Sequence, residues 1–277
     1  MLLGLQACSA VRLGYDHAPE LAYWWLDGYL DFDNGQARQV RASLDDLQDW
    51  HRREELPKVV ALLQQAEQMV QREPDADEIC SLADSLKTRA RAVAERALPA
   101  MARLAPGLSV DQLETLRKKY LASNGEFRHD WVELSPGKRR EKRVDQIVER
   151  VEKVYGPLGA PQRAAITASI ARSAYDPALE LEERKRRQAD VMAQLRTVST
   201  TTMTQQAVEQ TLRAMIDRAF VSPDAHYRSY RETLLRQSCE GFATVQAVMS
   251  PHQRQAAFKQ LTDYEQDARA LAAEASP

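Results

Sequence analysis

Glycine is scarce, with 10 in 277 residues, and none of it forms a phosphate-cradling loop. That removes the P-loop and dinucleotide-fingerprint readings, both of which need several glycines at fixed offsets. Only five histidines occur, at 17, 51, 129, 226 and 252. None pairs with another at i,i+3 or i,i+4, so the helical zinc-protease motif is missing. No G-x-S-x-G elbow is present, and the serines sit mostly where helix capping accounts for them. The three cysteines form no C-x-x-C. The formal net charge of −2 lacks the basic excess of a nucleic-acid binder. No run is long and apolar enough to cross a bilayer. The sequence therefore implies no enzyme, no cofactor, no bound metal and no nucleic-acid partner.

Ala, Leu, Gln, Glu and Arg dominate instead. These side chains lose little rotamer freedom in a helix, so the composition predicts an all-α chain. Hydrophobic spacing gives nine or ten helices with short loops and no strand, arranged as an antiparallel multi-helix bundle or a curved array. Residues 19–33 and 37–56 read as helices, and Pro57 opens the next, with Val59, Leu62, Leu63, Ala66, Met69 and Val70 on one stripe. Asp77 to about Leu98 forms a long helix that Pro99 should end or kink. Asn34-Gly35 reads as a turn.

Punctuation is regular. Ser109 with Gln112, and Ser250 with Gln253, are capping boxes. Ser135-Pro136, Asp176-Pro177 and Ser222-Pro223 pair a capping residue with proline at a tolerated position. Leu108-Ser109-x-x-Gln112, Leu158-Gly159-x-x-Gln162 and Met249-Ser250-x-x-Gln253 share one shape, unevenly spaced and so not a solenoid. Ala105-Pro106-Gly107 divides the chain into 9–105, which holds the aromatic segment, and 106–277, either as two packed halves or as one body.

Tyr23, Trp24, Trp25, Tyr29 and Phe32 lie within ten residues. Such a cluster either keys a helix into the core or faces a lipid interface or client protein. Burial is the favoured reading, with Leu21, Trp25, Gly28 and Phe32 on one face and Tyr23, Leu26 and Leu30 on another. Asp27 and Asp31 share a helix face, and with Asp33 and His51 they are the residues a metal-dependent reading would use. A solvated face or ion pair is the simpler account. Trp24, Trp25, Asp27, Tyr29 and Asp31 are the candidate binding or keystone patch. The charged runs 138–143 and 182–187 carry interleaved acids and read as solvated helix faces, with attraction to anionic lipid or acidic partners second. The Lys138 cluster sits in a first helical turn, where positive charge needs compensation.

Leu5-Gln6-Ala7-Cys8 has the order of a lipoprotein processing site, so residues 1–8 read as a shortened signal ending at a lipidated Cys8. In an oxidising compartment, Cys80 and Cys239 could join in one long-range disulfide; as buried thiols they would simply fill space.

Residues Cys8 to Tyr15, Tyr23 to Phe32, Trp50-His51-Arg52-Arg53, Glu126-Phe127-Arg128 with Trp131, and the basic stretch 138–143 resemble a family of uncharacterised proteobacterial lipoproteins. The resemblance implies export and an acyl chain of the palmitate kind on Cys8. Ser9 after that cysteine implies sorting to the periplasmic face of the outer membrane. The Leu-Ser-x-x-Gln helix starts also resemble the L-T-x-x-Q motif of the small helical periplasmic chaperones of the Spy and CpxP type. That likeness implies a client-holding surface. The expected function is a lipid-anchored, non-catalytic binding or chaperone-like envelope module whose partners are the membrane and unfolded or envelope proteins. A structural scaffold bridging the membrane to a partner is the alternative, and a metal-dependent protein using Asp27, Asp31 and Asp33 the remote one.

Overall fold

In the computed structural model, residues 10–274 are described, and among them twelve α-helices and no strand occur. The helices are α1 (Ala10–Asp16), α2 (Ala18–Leu30), α3 (Asn34–Trp50), α4 (Leu56–Val70), α5 (Ala76–Leu104), α6 (Val110–Phe127), α7 (Pro136–Tyr155), α8 (Ala160–Arg172), α9 (Pro177–Thr200), α10 (Gln205–Phe220), α11 (Ala225–Ala247) and α12 (Pro251–Ala273). The protein is an all-α array. Cys8 lies outside the described residues.

Helix boundaries follow capping chemistry. Asp33, Asp75, Ser109 and Ser250 each accept from the amide three residues on, and the Gln or Glu there reaches back to the cap amide. Asn34-Gly35 is therefore the first turn of α3 and not a separate loop. Ser222-Pro223 does not begin α11: Asp224 caps it, and the Ser222 hydroxyl turns inward to Glu183.

Two helix ends depart from the sequence reading. A π-helical turn over His51–Glu55 joins α3 to α4 without a break, so Pro57 opens no new segment. The wider turn buries the Glu55 carboxylate, 1% exposed, against Lys58 at 2.6 Å and Arg89 at 3.2 Å. Pro99 does not end α5, which runs on to Leu104. A proline inside a helix costs about 3 kcal/mol. Leu98 and Ala102, both fully buried on either side of it, pack with Val208 and Leu212 of α10 and hold the helix through the defect.

Helix α5 is the axis of the array, with α3, α4, α10 and α11 packed on it. One core surrounds its C-terminal half, formed with α9 and α10. A second core joins α7, α8, α11 and α12, and α4 lies along α12. The Cys80–Cys239 disulfide, across 159 residues of sequence, fastens the start of α5 to α11. The α8–α11 crossing is tight at Gly241, where a Cβ would come within 2.1 Å of Ser169 Oγ.

The recurring Gln starts pair in space. Gln162 Nε2 donates to the carbonyl of Val248 at 2.6 Å and Gln253 Nε2 to that of Pro157 at 2.9 Å. A second pair repeats the pattern: Gln112 donates to the Asp31 carbonyl at 3.1 Å and Gln36 to that of Gly107 at 3.0 Å. Phe32-Asp33-Asn34-Gly35-Gln36 is thus a fourth copy of the motif, with Asp as the cap.

Candidate functional site

Helix α2 carries the aromatic cluster, and its placement decides what the cluster does. Pro19 stands in its first turn. The helix ends at Asp31, which adopts the left-handed region at φ 50° while its N–H returns to the Asp27 carbonyl at 2.8 Å. Asp27 Oδ1 accepts from the Phe32 amide at 2.9 Å. The two acids thus build the sharp exit from α2, and Asp33 caps α3. Their carboxylates do not converge with His51, whose Nδ1 instead lies 2.8 Å from the Tyr15 hydroxyl. Among the described residues no group of three or more His, Cys, Asp or Glu could hold a metal ion.

The face of α2 turned inward is Tyr23, Leu26 and Leu30. Tyr23 is 7% exposed, with the Arg41 guanidinium 3.6 Å above its ring. The opposite face carries Leu21 at 61%, Trp24 at 58% and Trp25 at 63% exposure. The expected burial therefore holds for Tyr23 but not for the two tryptophans. A helix cannot bury both faces when core lies on one side only. Trp24 Nε1 donates to Glu20 at 2.9 Å, and Trp25 packs on Tyr29 with ring centroids 4.9 Å apart. Tyr29 in turn meets Tyr120 of α6 at 6.2 Å.

Beneath α2 the array is hollow. A cavity of about 410 Å³ lies between α2, α3, α5, α9 and α10, with Val40, Leu44, Leu47, Ala100, Met101 and Met215 among its walls. A second, of about 510 Å³, opens between α2, α6 and α9, with Trp25, Tyr29, Tyr120 and Phe127 at its aromatic side. Leu26, Leu30, Val191 and Leu195 border both. Helix α2 is therefore a roof over two adjoining spaces, with exposed Trp24 on its outer surface and Trp25 at the rim of the second.

The far wall of the second cavity is charged. Glu183, 5% exposed, receives Arg186 Nε at 2.7 Å, Arg187 Nε at 2.8 Å and the Ser222 hydroxyl at 3.0 Å. Burial pushes its carboxyl up, but the hydrogen bonds from Arg186, Arg187 and Ser222 outweigh that and hold it below its ordinary range. Arg184 binds Asn124 and Ser123 of α6. In the basic run the half-buried Arg184 ties α9 to α6 and Arg186 reaches the Arg218 carbonyl, while Lys185 stays exposed, so only part of the run is a solvated face. Tyr227 donates to Glu180 at 3.0 Å, and burial pushes its phenol up to about 12. Burial, with Tyr29 nearby, raises Tyr120 too. These phenols stay protonated at neutral pH and serve as polar tips.

The other basic run finds the compensation its position requires. Arg139 donates to the carbonyls of Trp131, Val132 and Leu134 at 3.0–3.2 Å, and Lys142 to that of Asp130 at 3.0 Å. The unpaired carbonyls ending one helix thus neutralise cations at the start of the next.

Of the five patch residues, Trp24, Trp25 and Tyr29 are on the roof, and Asp27 and Asp31 fix its exit. The cavity-forming residues of α5, α9 and α10 were missed, because small residues such as Ala97 and Ala100 carry no local signal. Gln36 had one: the same cap-x-x-Gln spacing as the other three starts. Residues 28–221 match the family described as Family of unknown function (DUF6279). No curated protein and no solved structure matches the chain.

Proposed function

The chain belongs to the DUF6279 family of unknown function, and from that premise we propose that it is a non-catalytic binding module which holds apolar segments of unfolded or envelope proteins on the roof formed by α2. The carrying observation is the exposure of Leu21, Trp24 and Trp25 together, beside the aromatic mouth of Tyr29, Tyr120 and Phe127. Large apolar side chains grouped on a surface favour a partner that covers them. Tryptophan and tyrosine give contact area at little entropy cost, which suits variable clients.

The proposed site of action is the periplasmic face of the outer membrane, with Cys8 lipidated. Three features support it: the Leu5-Gln6-Ala7-Cys8 order, the serine that follows, and a disulfide of the kind that persists in oxidising compartments.

The test is light scattering of reduced α-lactalbumin with and without the purified protein. Suppression of aggregation near equimolar ratio, lost in Trp24→Ala/Trp25→Ala, supports the reading. Unchanged aggregation, or equal suppression by that variant, overturns it. Mass spectrometry of the mature N-terminus from the native membrane tests the anchor separately.

A further inference from the structure

We propose that the cavity under α2 binds a single-chain amphiphile with an anionic headgroup, a ligand of the fatty-acid or lysophospholipid class. Its volume of about 410 Å³ lies inside the range of small-molecule sites. Five helices wall it, so the shape is set by rigid elements.

The floor is made by Ala97, Pro99 and Ala100 of α5. None has a side chain long enough to fill the space, and α10 beyond them supplies Leu212 and Met215. The apolar path does not stop there. Leu26, Leu30, Val191 and Leu195 also border the second cavity of about 510 Å³. A compact ring would fill one space, whereas an alkyl chain matches an elongated pair.

The lip supplies the charge. Arg96 and Arg103 border the cavity and are both exposed. They stand seven residues apart on α5, roughly 10 Å along one face of the helix. Neither makes an ion pair among the described residues, whereas Arg186, Arg187 and Arg218 are paired with carboxylates. Asp46 is the one acid lining the cavity. Two guanidinium groups against one carboxylate favour an anion above the slot, and guanidinium recognises carboxylate and phosphate by paired hydrogen bonds.

The second cavity shares Tyr29, Tyr120 and Phe127 with the client surface, whereas Trp24 lines neither cavity and so separates the two readings. The experiment is titration of the full chain with cis-parinaric acid, read by fluorescence, with displacement by oleate, lysophosphatidylglycerol and uncharged monoolein. Saturable one-to-one binding is expected. Ala100→Trp, which fills the slot, should weaken all three competitors by at least about tenfold, equivalent to roughly 1.4 kcal/mol. Arg96→Glu/Arg103→Glu changes only exposed residues and should weaken oleate or lysophosphatidylglycerol by a similar factor while sparing monoolein. Whichever anion the charge reversal affects more identifies the headgroup. Trp24→Ala should leave every affinity unchanged. Absence of saturable binding overturns the proposal. So does Ala100→Trp binding as wild type, or equal loss of monoolein and oleate in the arginine variant.

Discussion

Gln162 and Gln253 clasp each other's helix starts: their amides meet at 3.2 Å, and each donates to the carbonyl just before the other's motif. Each amide oxygen also accepts from its own cap N–H, at 3.0 Å. One side chain thus closes a capping box and ties two interhelical turns together. Gln36 and Gln112 do the same 126 and 50 residues earlier than Gln162, so two pairs of turns are fastened alike.

Removing a clasp glutamine leaves buried polar groups without partners, which costs about 1–3 kcal/mol. Gln162→Ala and Gln253→Ala should each destabilise by that amount in urea unfolding. The double variant should cost less than their sum by about 0.5 kcal/mol or more, since both act on one network.

Gly241→Ala places a methyl within 2.1 Å of Ser169 Oγ. Overpacking of this kind costs about 1–3 kcal/mol. Thermal unfolding should show the loss, and Ser169→Gly in the same chain should restore part of it.

Cys80→Ser/Cys239→Ser should lower stability by about 2–5 kcal/mol, as for other disulfides removed from a folded domain. Far-ultraviolet circular dichroism should remain helical, because the tie joins α5 to α11 and forms neither.

His51 gives a pH dependence. Burial pushes its pKa down, and Glu55 only partly opposes that. The unfolded state therefore binds the proton more readily than the folded one. Stability from the neutral ring is full above the ordinary histidine value of about 6.5 and is lost as pH falls through the lower folded value. Tyr15 shares the contact, so α1 should detach first. Protection of the amides of residues 10–16, corrected for the pH dependence of intrinsic exchange, should fall between pH 7 and pH 5, and His51→Gln should flatten that fall.

The all-helical fold was legible because composition, capping boxes and the 3.6 period agreed. The stripe Val144, Ile147, Val148, Val151 and Val154 entered a core as read. Misreadings came where tertiary packing overrode a local rule. Pro99 stayed helical because Leu98 and Ala102 on either side of it are fully buried, and α3 ran into α4 because a π turn let Glu55 reach two cations. Arg184 and Arg186 looked solvated because their partners, Ser123, Asn124 and the Arg218 carbonyl, are distant in sequence. The aromatic cluster was found, but periodicity alone gave two apolar faces and no sign of which one the body covers. The cavity was invisible: alanine is small everywhere, and only the assembled helices show where smallness leaves room.

Hydrogen-exchange mass spectrometry of the intact protein with and without reduced α-lactalbumin tests the binding role most directly. The account predicts slowed exchange in residues 18–30, with smaller protection in α6 and none in α7 or α8. Protection confined to α7, α8 or α12, or none anywhere at concentrations that stop aggregation, would contradict it.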